Sequence, residues 1–478
     1  MGVRKFGPAL FVLSCVLGMI GHSPPVSAEV PTGSPPLSPV PGRADEPAAQ
    51  TEGKQSTEAQ PTANPLASPE EVKRLVDQFL KEREEQARRA EASKRAPAAR
   101  KPSVDWSMQI QTDGIWAAQD AANRVAVGEI PSGFAFRRAR INLSGDYGPW
   151  DYKLGMDFAL AGRPTFLDVY IGFNGPPSLG RVRVGFFFEP FGFEQYSQNR
   201  FLTFLERGLP ARPFAPGRNP GVMLDNALAD ERVTVALGVF RTESDFFGND
   251  TGFDLQSAVT GRLTGLVWYD EGTAGRDLLH LGLAYSARLP RLDQVRFRVR
   301  PEVRLGAAEP NIPFFVDTGN IPARFYQLLG GELFWVRGPF SLQGEYVAVP
   351  VSTIDRGAVY FQTWYLMASL FLTGEHRTYR KRTGQLERIN PKRDFVRKDG
   401  GGLFLGPGAW EVACRVSHAD LNNGGVTGGR LTDTTLGLNW YMNPYTRLTF
   451  NYIRANLLAP GGPGGAADFY GVRFNFDF

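Results

Sequence analysis

Residues 470–478 decide the fold class: Tyr470-Gly471-Val472-Arg473-Phe474-Asn475-Phe476-Asp477-Phe478. Their side chains alternate without interruption, because Tyr470, Val472, Phe474, Phe476 and Phe478 lie on one face and Gly471, Arg473, Asn475 and Asp477 on the other. Successive side chains of a β-strand point to opposite faces, so the stretch predicts a strand with one apolar and one polar face. An apolar face contacts either a protein core or lipid, and one strand does not distinguish the two.

The same alternation recurs along the chain after Val104, in segments separated by Gly, Pro, Asn and Asp. The apolar faces are Tyr152, Leu154, Met156, Phe158 and Leu160; Leu279, Leu281, Leu283 and Tyr285; Trp410, Val412, Cys414 and Val416; Leu436, Leu438 and Trp440; and Leu448, Phe450 and Tyr452. Together they exceed the surface that one core buries, and no helices are predicted to cover them. Lipid is the remaining partner, and a closed sheet without edges is what hydrocarbon requires. We therefore predict a β-barrel in a bacterial outer membrane.

Composition agrees with this class and excludes others. The 478 residues include 54 Gly, 36 Pro and 12% aromatic residues, which suits many strands joined by turns. Beyond the first 25 or so positions, no apolar run approaches the roughly 20 residues of a membrane-spanning helix. The net charge of +4 is too small for a nucleic-acid-binding surface, so no nucleic-acid partner is expected. The two cysteines, Cys15 and Cys414, make neither a disulfide framework nor a metal site.

The N-terminal region divides into three segments. Residues 1–28 have a basic start, an apolar stretch and a small-residue cleavage site at Ala28, which predicts a secretory signal peptide. Residues 29–67 are rich in Pro and Ala and predict a disordered linker. Residues 68–98 predict a short charged periplasmic helix with Ser68 as its N-cap. Its apolar stripe covers fewer than two heptads, which favours a solvated helix over an oligomerising coiled coil.

Counting strands fixes the size of the barrel in residues 104–478. About 17 candidates appear, but a closed antiparallel barrel of this class takes an even number. We place the weakest candidate, residues 295–305, in a long loop, which leaves a 16-stranded antiparallel transmembrane β-barrel whose first strand covers residues 104–118. Turns at 145–150, 338–339 and 443–445 are expected on the periplasmic side, and loops 191–220 and 289–322 face outward or fold inward. A barrel of this size encloses a water-filled channel.

Alternation also assigns the lumen, since polar positions point inward where apolar ones face lipid. Two strands and two loops supply the arginines that we predict to line the pore and bind anions: Arg138, Arg140, Arg181, Arg183, Arg200, Arg207, Arg212, Arg218, Arg296, Arg298, Arg300 and Arg304. In residues 296–305 these arginines alternate with Phe297, Val299, Val303 and Leu305. A guanidinium presents a planar fork of donors that matches phosphate or carboxylate oxygens. The alternative is that these arginines pair with lumenal acids and only hold the wall, the candidates being Asp157, Asp168, Glu332, Glu345 and Glu411.

Catalysis and cofactors find little support in the sequence. Of four histidines, His22 lies in the leader, and His280, His376 and His418 sit on separate elements without the spacing of metal ligands. The glycine-rich residues 461–465 follow no strand-to-helix pattern, so they are not a phosphate loop. We expect no enzyme activity, no cofactor and no metal site.

Several stretches resemble the phosphate-selective porin O and P family, in order and over most of residues 104–478. They are Arg137-Arg138-Ala139-Arg140-Ile141; Val182-Arg183-Val184-Gly185 with Glu189-Pro190-Phe191-Gly192; Glu206-Arg207; Leu372-Thr373-Gly374-Glu375; Gly408-Ala409-Trp410-Glu411 with Arg415 and Ser417; and Leu436-Gly437-Leu438-Asn439-Trp440-Tyr441 with Asn443-Pro444. The resemblance implies a 16-stranded, usually trimeric outer-membrane porin with an inward-folded third loop and basic residues that guide phosphate-type anions.

The chain departs from the family pattern where the constriction is expected. The family commonly has Gln and then Lys where this chain has Phe186 and Phe188, and lysines are few in the barrel: Lys153, Lys381, Lys392 and Lys398. We predict passive diffusion of small inorganic anions, phosphate foremost, through a homotrimer embedded in outer-membrane lipid. A non-selective diffusion porin and a barrel that serves as a structural or surface anchor are the alternatives.

Overall fold

The computed structural model describes residues 68–95, 101–160, 162–211, 213–242, 256–307, 311–399, 402–459, 462 and 464–478. The predicted signal peptide and linker, together with Arg212, lie outside these residues. The chain forms two units, 1–95 and 96–478, and each is described by itself.

In the first unit, helix α1 covers Pro69–Arg95. The Ser68 Oγ accepts a hydrogen bond from the backbone N–H of Glu71 at 3.2 Å, which satisfies one of the free donors at the helix start. The apolar side chains of Leu75 and Phe79 are each 63% exposed. Within the described ranges, no helix combines the length and apolar character needed to cross a bilayer.

The second unit is built on sixteen long antiparallel strands. They are β1 Asp105–Gln119, β2 Gly133–Tyr147, β3 Trp150–Asp157, β4 Thr165–Asn174, β5 Arg181–Phe188, β6 Arg218–Leu228, β7 Val233–Arg241, β8 Ser257–Tyr269, β9 Asp277–Leu289, β10 Ile321–Arg337, β11 Phe340–Thr353, β12 Ala358–Phe371, β13 Ala409–Asn423, β14 Val426–Asn443, β15 Thr446–Leu458 and β16 Gly465–Asp477. Each pairs with the next, and β1 pairs with β16 from Gln109–Asp477 to Gln119–Ala467, which closes the barrel. The predicted fold class is confirmed.

The two faces of the wall have opposite character, as the alternation predicts. On β16, Phe474 is 44% exposed on the outside, whereas the neighbouring Arg473 is 1% exposed and points inward. The polar lumenal positions are buried because loops fold into the barrel and cover them.

Connections of different length leave the two rims. The turns after β2, β10 and β14, predicted to be periplasmic, lie on the rim where β1 begins and β16 ends. The opposite rim carries residues 120–132, with the short helix α2 Ala121–Val127, and the long loops 189–217 and 290–320. Short turns on the periplasmic side and longer loops outside are typical of such barrels. We call residues 189–217 loop 3 and residues 290–320 loop 5.

Loops 3 and 5 fold into the lumen. Loop 3 contains the one-turn helix α3 Phe193–Tyr196, and Phe193 is fully buried. At the start of loop 5, Gln294–Val295 pairs with Ile321–Pro322 of β10, and Arg298–Val299 pairs with Val316–Asp317 within the loop, so residues 296–305 do not form a wall strand. The apolar side chains Phe297 and Val299 are buried among other lumenal apolar residues, so this alternation faces a core inside the barrel instead of lipid.

The connection 372–408 on the periplasmic rim is long, and the sequence analysis did not single it out. Its first half enters the lumen, where the Leu386 N–H donates to Ser197 Oγ at 3.1 Å and Gln385 Nε2 donates to the Tyr196 carbonyl at 2.6 Å. Its second half forms a hairpin of Val396–Asp399 with Gly402–Leu405. The first half therefore supports loop 3 from the periplasmic side.

Candidate functional site

Two cavities beside the folded-in loops contain the predicted pore arginines that the structure describes. The first, of about 770 Å³, is lined by loop 5, loop 3 and strands β2 to β6, and we call it the upper cavity. The second, of about 400 Å³, lies between β1 to β6, loop 3 and the first half of connection 372–408, and we call it the lower cavity. Five residues line both cavities: Arg140, Leu167, Phe188, Arg207 and Arg218. These five residues form the junction of the cavities.

Cations dominate both linings. The upper cavity is lined by Arg137, Arg138, Arg140, Arg207, Arg218, Arg296, Arg298, Arg300 and Arg304. Asp157 and Glu206 are the acidic residues among the described lining. The lower cavity is lined by Arg140, Lys153, Arg181, Arg183, Arg200, Arg207 and Arg218, against Asp168 as the acidic residue of the described lining. The geometry thus places every predicted pore arginine that it describes at one or both cavities.

The strand arginines keep part of their donors occupied by carboxylates. Arg140 Nε lies 2.7 Å from Asp157 Oδ2. Arg183 Nη2 lies 2.9 Å from Asp225 Oδ1, and Arg181 pairs with Asp151. The buried Nε–H groups of Arg138 and Arg183 find no hydrogen-bond partner among the described residues. Arg140, Arg181 and Arg183 are therefore held in place by their carboxylate partners.

Shared carboxylates leave excess positive charge around the junction. Asp168 lies 2.7 Å from Arg218 Nε and 2.6 Å from Lys153 Nζ. Glu206 lies 2.7 Å from Arg137, 3.6 Å from Arg138 and 3.1 Å from Arg473. Arg473 is also paired with Asp113 at 2.6 Å, so one acid faces two cations at Asp168, and two acids face three cations around Glu206.

The loop 3 arginines flank the junction. Arg207 donates to the backbone carbonyls of Glu194, Gln195 and Ser197 at 2.8, 3.3 and 2.9 Å. Arg200 lies 3.5 Å from Asp477, which also pairs with Arg388. Burial lowers the pKa of Arg200, and Asp477 partly offsets this. Arg212 lies outside the described residues.

The loop 5 arginines line the upper cavity. Arg298 and Arg300 both lie over the Phe314 ring, with Cζ 4.2 and 3.8 Å from its centroid. Arg296 donates to Asp317 at 2.9 Å, and this hydrogen bond raises the pKa of the guanidinium. For Asp317, partial burial acts to raise the pKa, but the Arg296 bond and the Gly319 N–H outweigh it, so the pKa lies below 3.8. Arg304 completes the lining.

Two lining cations were missed by the sequence analysis. Alternation placed Arg137 outside, but a β-bulge opposite Gln111 and Thr112 inserts it as an extra residue, so that both Arg137 and Arg138 face inward. The adjacent pair of arginines was the available signal. Lys153 lies on the polar face of its strand, next to Asp168, and was recognisable by the same alternation.

The five acids proposed as wall partners divide into three groups. Asp157 and Asp168 do pair with predicted pore arginines, Arg140 and Arg218. Glu332 and Glu411 instead bind Arg262 and Arg377, which do not line the described cavities. The remaining acid, Glu345, accepts from the Glu194 N–H at 2.5 Å and the Tyr365 hydroxyl at 3.0 Å.

A closed sixteen-strand barrel with a lipid-facing exterior and a charged, partly open lumen is the architecture of an outer-membrane porin, a channel rather than an enzyme. The prediction of an outer-membrane β-barrel is confirmed.

Comparison with known proteins gives the family. The family described as phosphate-selective porin O and P matches residues 117–457. Porin O of Pseudomonas aeruginosa is 27% identical over 359 residues, covering 67% of this chain and 76% of the relative. An uncharacterised protein of Caulobacter vibrioides is 29% identical over 214 residues, 43% of this chain and 40% of the relative. An anion-selective porin from Comamonas acidovorans, a solved structure, shares 14% identity with a TM-score of 0.49, covering 79% of this chain and 100% of that one. The chain belongs to the phosphate-selective porin O and P family, as the resemblance predicted.

Proposed function

We propose that this porin carries small inorganic anions by passive diffusion, with phosphate as the foremost substrate, and that the predicted arginines guide them. The observation that carries the proposal is the junction, where Arg140, Arg207 and Arg218 border both cavities. At the junction, an anion that leaves one cavity would contact guanidiniums of the next cavity while it is still bound by those of the first. Conduction requires this sequence of sites, each attractive enough to admit an ion and weak enough to release it.

The surplus of cations supports selectivity for anions over a wall-holding role alone. Since Asp168 and Glu206 are each shared by several cations, their partners are not fully neutralised. The guanidiniums remain charged at every physiological pH, and the low-dielectric wall strengthens their field in the lumen.

Phosphate is the ion named in the description of the family, and this supports it as the substrate. Arginine in place of lysine gives the pore flatter, less hydrated donors, which bind an oxyanion in a bidentate manner. We expect binding to differ in strength from that of a lysine-lined pore, while the preference for anions remains.

Planar-bilayer recording tests the proposal. We expect discrete ohmic steps, a reversal potential in a KCl gradient that favours chloride, and block of the chloride current when phosphate is titrated in. A reversal potential near zero would indicate a non-selective diffusion porin instead. Absence of conductance from correctly inserted barrels would favour the anchor role.

We further propose that the channel is a homotrimer that packs through the outer face of β3 to β5. Strands β3 and β5 have eight residues each, fewer than the roughly 9–11 that a tilted strand needs to cross the hydrocarbon layer. Their exterior is nevertheless apolar, with Trp150 49%, Ile171 59% and Val184 53% exposed. A neighbouring copy would cover this short wall better than lipid does.

Native mass spectrometry of Val184→Arg tests the interface. We expect monomers in place of trimers, while Leu436→Arg, on the taller wall, should lower the yield of folded barrel without changing the subunit number. Trimers of normal stability from Val184→Arg would contradict the interface.

For the N-terminal region, we propose export by a signal peptide that is cleaved after Ala28, a disordered linker and a periplasmic location for helix α1. A mature protein that begins at Glu29, established by intact mass, would support the first of these. Protease access to residues 68–98 from the periplasm, but not from the cell exterior, would support the third.

A further inference from the structure

The second half of connection 372–408 ends in a hairpin with an unusual distribution of side chains. Val396 pairs with Leu405, Arg397 with Phe404 and Lys398 with Leu403. The returning strand is apolar and open to its surroundings: Leu403 is 69%, Phe404 56% and Leu405 75% exposed. The outgoing strand carries the cations Arg397 and Lys398, both exposed. One strand is therefore apolar, and its partner carries two cations, Arg397 and Lys398, and one acid, Asp399.

The base of this hairpin lies on the outside of the barrel, at the periplasmic rim. The Phe395 N–H donates to the Met442 carbonyl at 2.6 Å, and the Phe395 ring lies 4.7 Å from that of Trp440. Trp440 stacks on Trp410 at 5.1 Å, and both indole N–H groups donate to the Pro407 carbonyl at 3.0 Å. Outward tryptophans at a barrel rim mark the boundary between hydrocarbon and headgroups. The hairpin thus leaves the wall at the level of the membrane surface.

We propose that this hairpin is an interfacial anchor: Leu403, Phe404 and Leu405 enter the periplasmic leaflet of the outer membrane, and Arg397 and Lys398 contact the phosphates of anionic phospholipids. Its apolar strand continues the lipid-facing surface of the barrel through Trp410, Trp440 and Phe395. An exposed apolar strand flanked by cations is the chemistry by which peripheral segments bind anionic bilayers. Water would be a poor solvent for three adjacent large apolar side chains.

Membrane attachment of the hairpin has a consequence for the lumen. The same connection, before it crosses the rim, supports loop 3 through Leu386 and Gln385. A hairpin held in the leaflet would tether this support to the bilayer. The segment beside the lower cavity is then fixed at two points, one in the lumen and one in lipid.

Depth-dependent quenching of a fluorescent label tests the anchor in the full-length porin. In a Cys414→Ala background, single cysteines are introduced by Phe404→Cys, Lys398→Cys and Leu436→Cys and labelled with an NBD dye. The proteins are reconstituted in vesicles whose phospholipids carry a nitroxide in the acyl chain. We expect the Phe404 label to be quenched to the same extent as the Leu436 label, which sits on the lipid-facing wall, and the Lys398 label to be quenched less.

Two further arms separate lipid from other occupants. Adding anionic phosphatidylglycerol to phosphatidylcholine vesicles should deepen quenching at Phe404, and Arg397→Gln with Lys398→Gln should remove this increase. A Phe404 label that stays unquenched while the Leu436 label is quenched would overturn the proposal, because the apolar strand would then lie outside the bilayer. Disulfide-linked dimers of unlabelled Phe404→Cys would overturn it as well, since they would assign the hairpin to a second copy of the chain. Equal quenching with and without the anionic lipid would refute the role of the two cations.

Discussion

The two sides of the lumen differ in the ratio of arginines to the carboxylates that bind them. On the side of β2 to β6, carboxylates are shared: Asp168 serves Arg218 and Lys153, and Glu206 serves several arginines. On the side of β13, the relation is inverted, because Arg415 lies 2.6 Å from Glu302 and 3.4 Å from Glu194 with all three side chains fully buried. We call the first side, together with the loop 5 arginines that line the upper cavity with it, the cationic wall, and we call the second side the anchored wall.

The comparison shows that the number of acids around an arginine decides what the arginine can do. A guanidinium with two buried carboxylates has no charge left for a passing ion, and it fastens loop 3 and loop 5 to the strand that bears it. Burial raises the pKa of Glu194, and Arg415 opposes this shift. A guanidinium that shares one carboxylate with other cations keeps the surrounding space positive.

The largest effect is expected on the anchored wall. Arg415→Gln would leave Glu302 and Glu194 buried without their cation, and breaking a buried pair in this way costs about 3–5 kcal/mol. Urea unfolding of the reconstituted barrel measures this decrease in the free energy of unfolding. Arg298→Gln, on the cationic wall, is the control and should change the free energy of unfolding by less than about 1 kcal/mol. Equal stability of both variants would remove the distinction between the walls.

An arginine introduced on the lipid-facing side of the barrel tests a third environment for the guanidinium, beside the cationic wall and the anchored wall. Val472→Arg and Phe474→Arg place a guanidinium against lipid, at a cost of roughly 2–4 kcal/mol each near the midplane, although Arg473 between them is well accommodated. Folding yield in vesicles gives the result. Val125→Arg, in the loop that carries α2, should fold normally. Normal assembly of both wall variants would show that the faces have been assigned in reverse.

Selectivity should respond to the cationic wall alone. Replacing Arg296, Arg298 and Arg300 together by Gln removes three charges from the upper cavity, and we expect the permeability ratio of chloride to potassium to fall by about threefold or more. The reversal potential in a KCl gradient reports this change. The matched control is Arg454→Gln, because Arg454 lies on the outer wall with Asp468. An unaltered ratio in the triple variant would mean that anions bypass loop 5.

The smallest effect is a pH dependence at the mouth of the upper cavity. The pKa of Asp317 lies below 3.8, so its pair with Arg296 is intact at pH 7 and is lost only as the pH falls through that lowered value. Protonation frees the Arg296 charge, and anion selectivity should rise at acidic pH. In Asp317→Asn the higher selectivity should already be present at pH 7. If wild type and Asp317→Asn still differ in anion selectivity below the pKa of Asp317, the Asp317–Arg296 pair does not control selectivity at the mouth of the upper cavity.

Much of the fold followed from a single periodicity in the sequence. Alternation gave the strand count, the faces of β16 and the inward direction of Arg138, Arg140, Arg181 and Arg183, because a strand offers only two directions for a side chain. The same rule failed at Arg137, where the bulge changes the register by one residue. The adjacent Arg137 and Arg138 interrupt the period of two, and this interruption is the sequence signal of the insertion.

The periodicity of the sequence could not predict contacts between distant segments. The identity of each carboxylate beside an arginine depends on how loops 3 and 5 fold, and Glu302 and Arg415 are 113 positions apart. Connection 372–408 has no repeating pattern, so neither its passage through the lumen nor its hairpin could be inferred. Phe297 and Val299 alternate as a wall strand would, yet they pack inside the barrel. A pattern specifies that a face is apolar, and the surrounding chain determines what covers that face.

The bonds made by Arg207 link the charge of the channel to the shape of loop 3 at the junction of the two cavities. Its guanidinium closes the turn of loop 3 by binding the backbone oxygens of Glu194, Gln195 and Ser197 while it borders both cavities. A lysine would preserve the charge but could not reproduce the fork that spans those oxygens. Evolution can therefore retune ion preference at this position only by remodelling the loop at the same time.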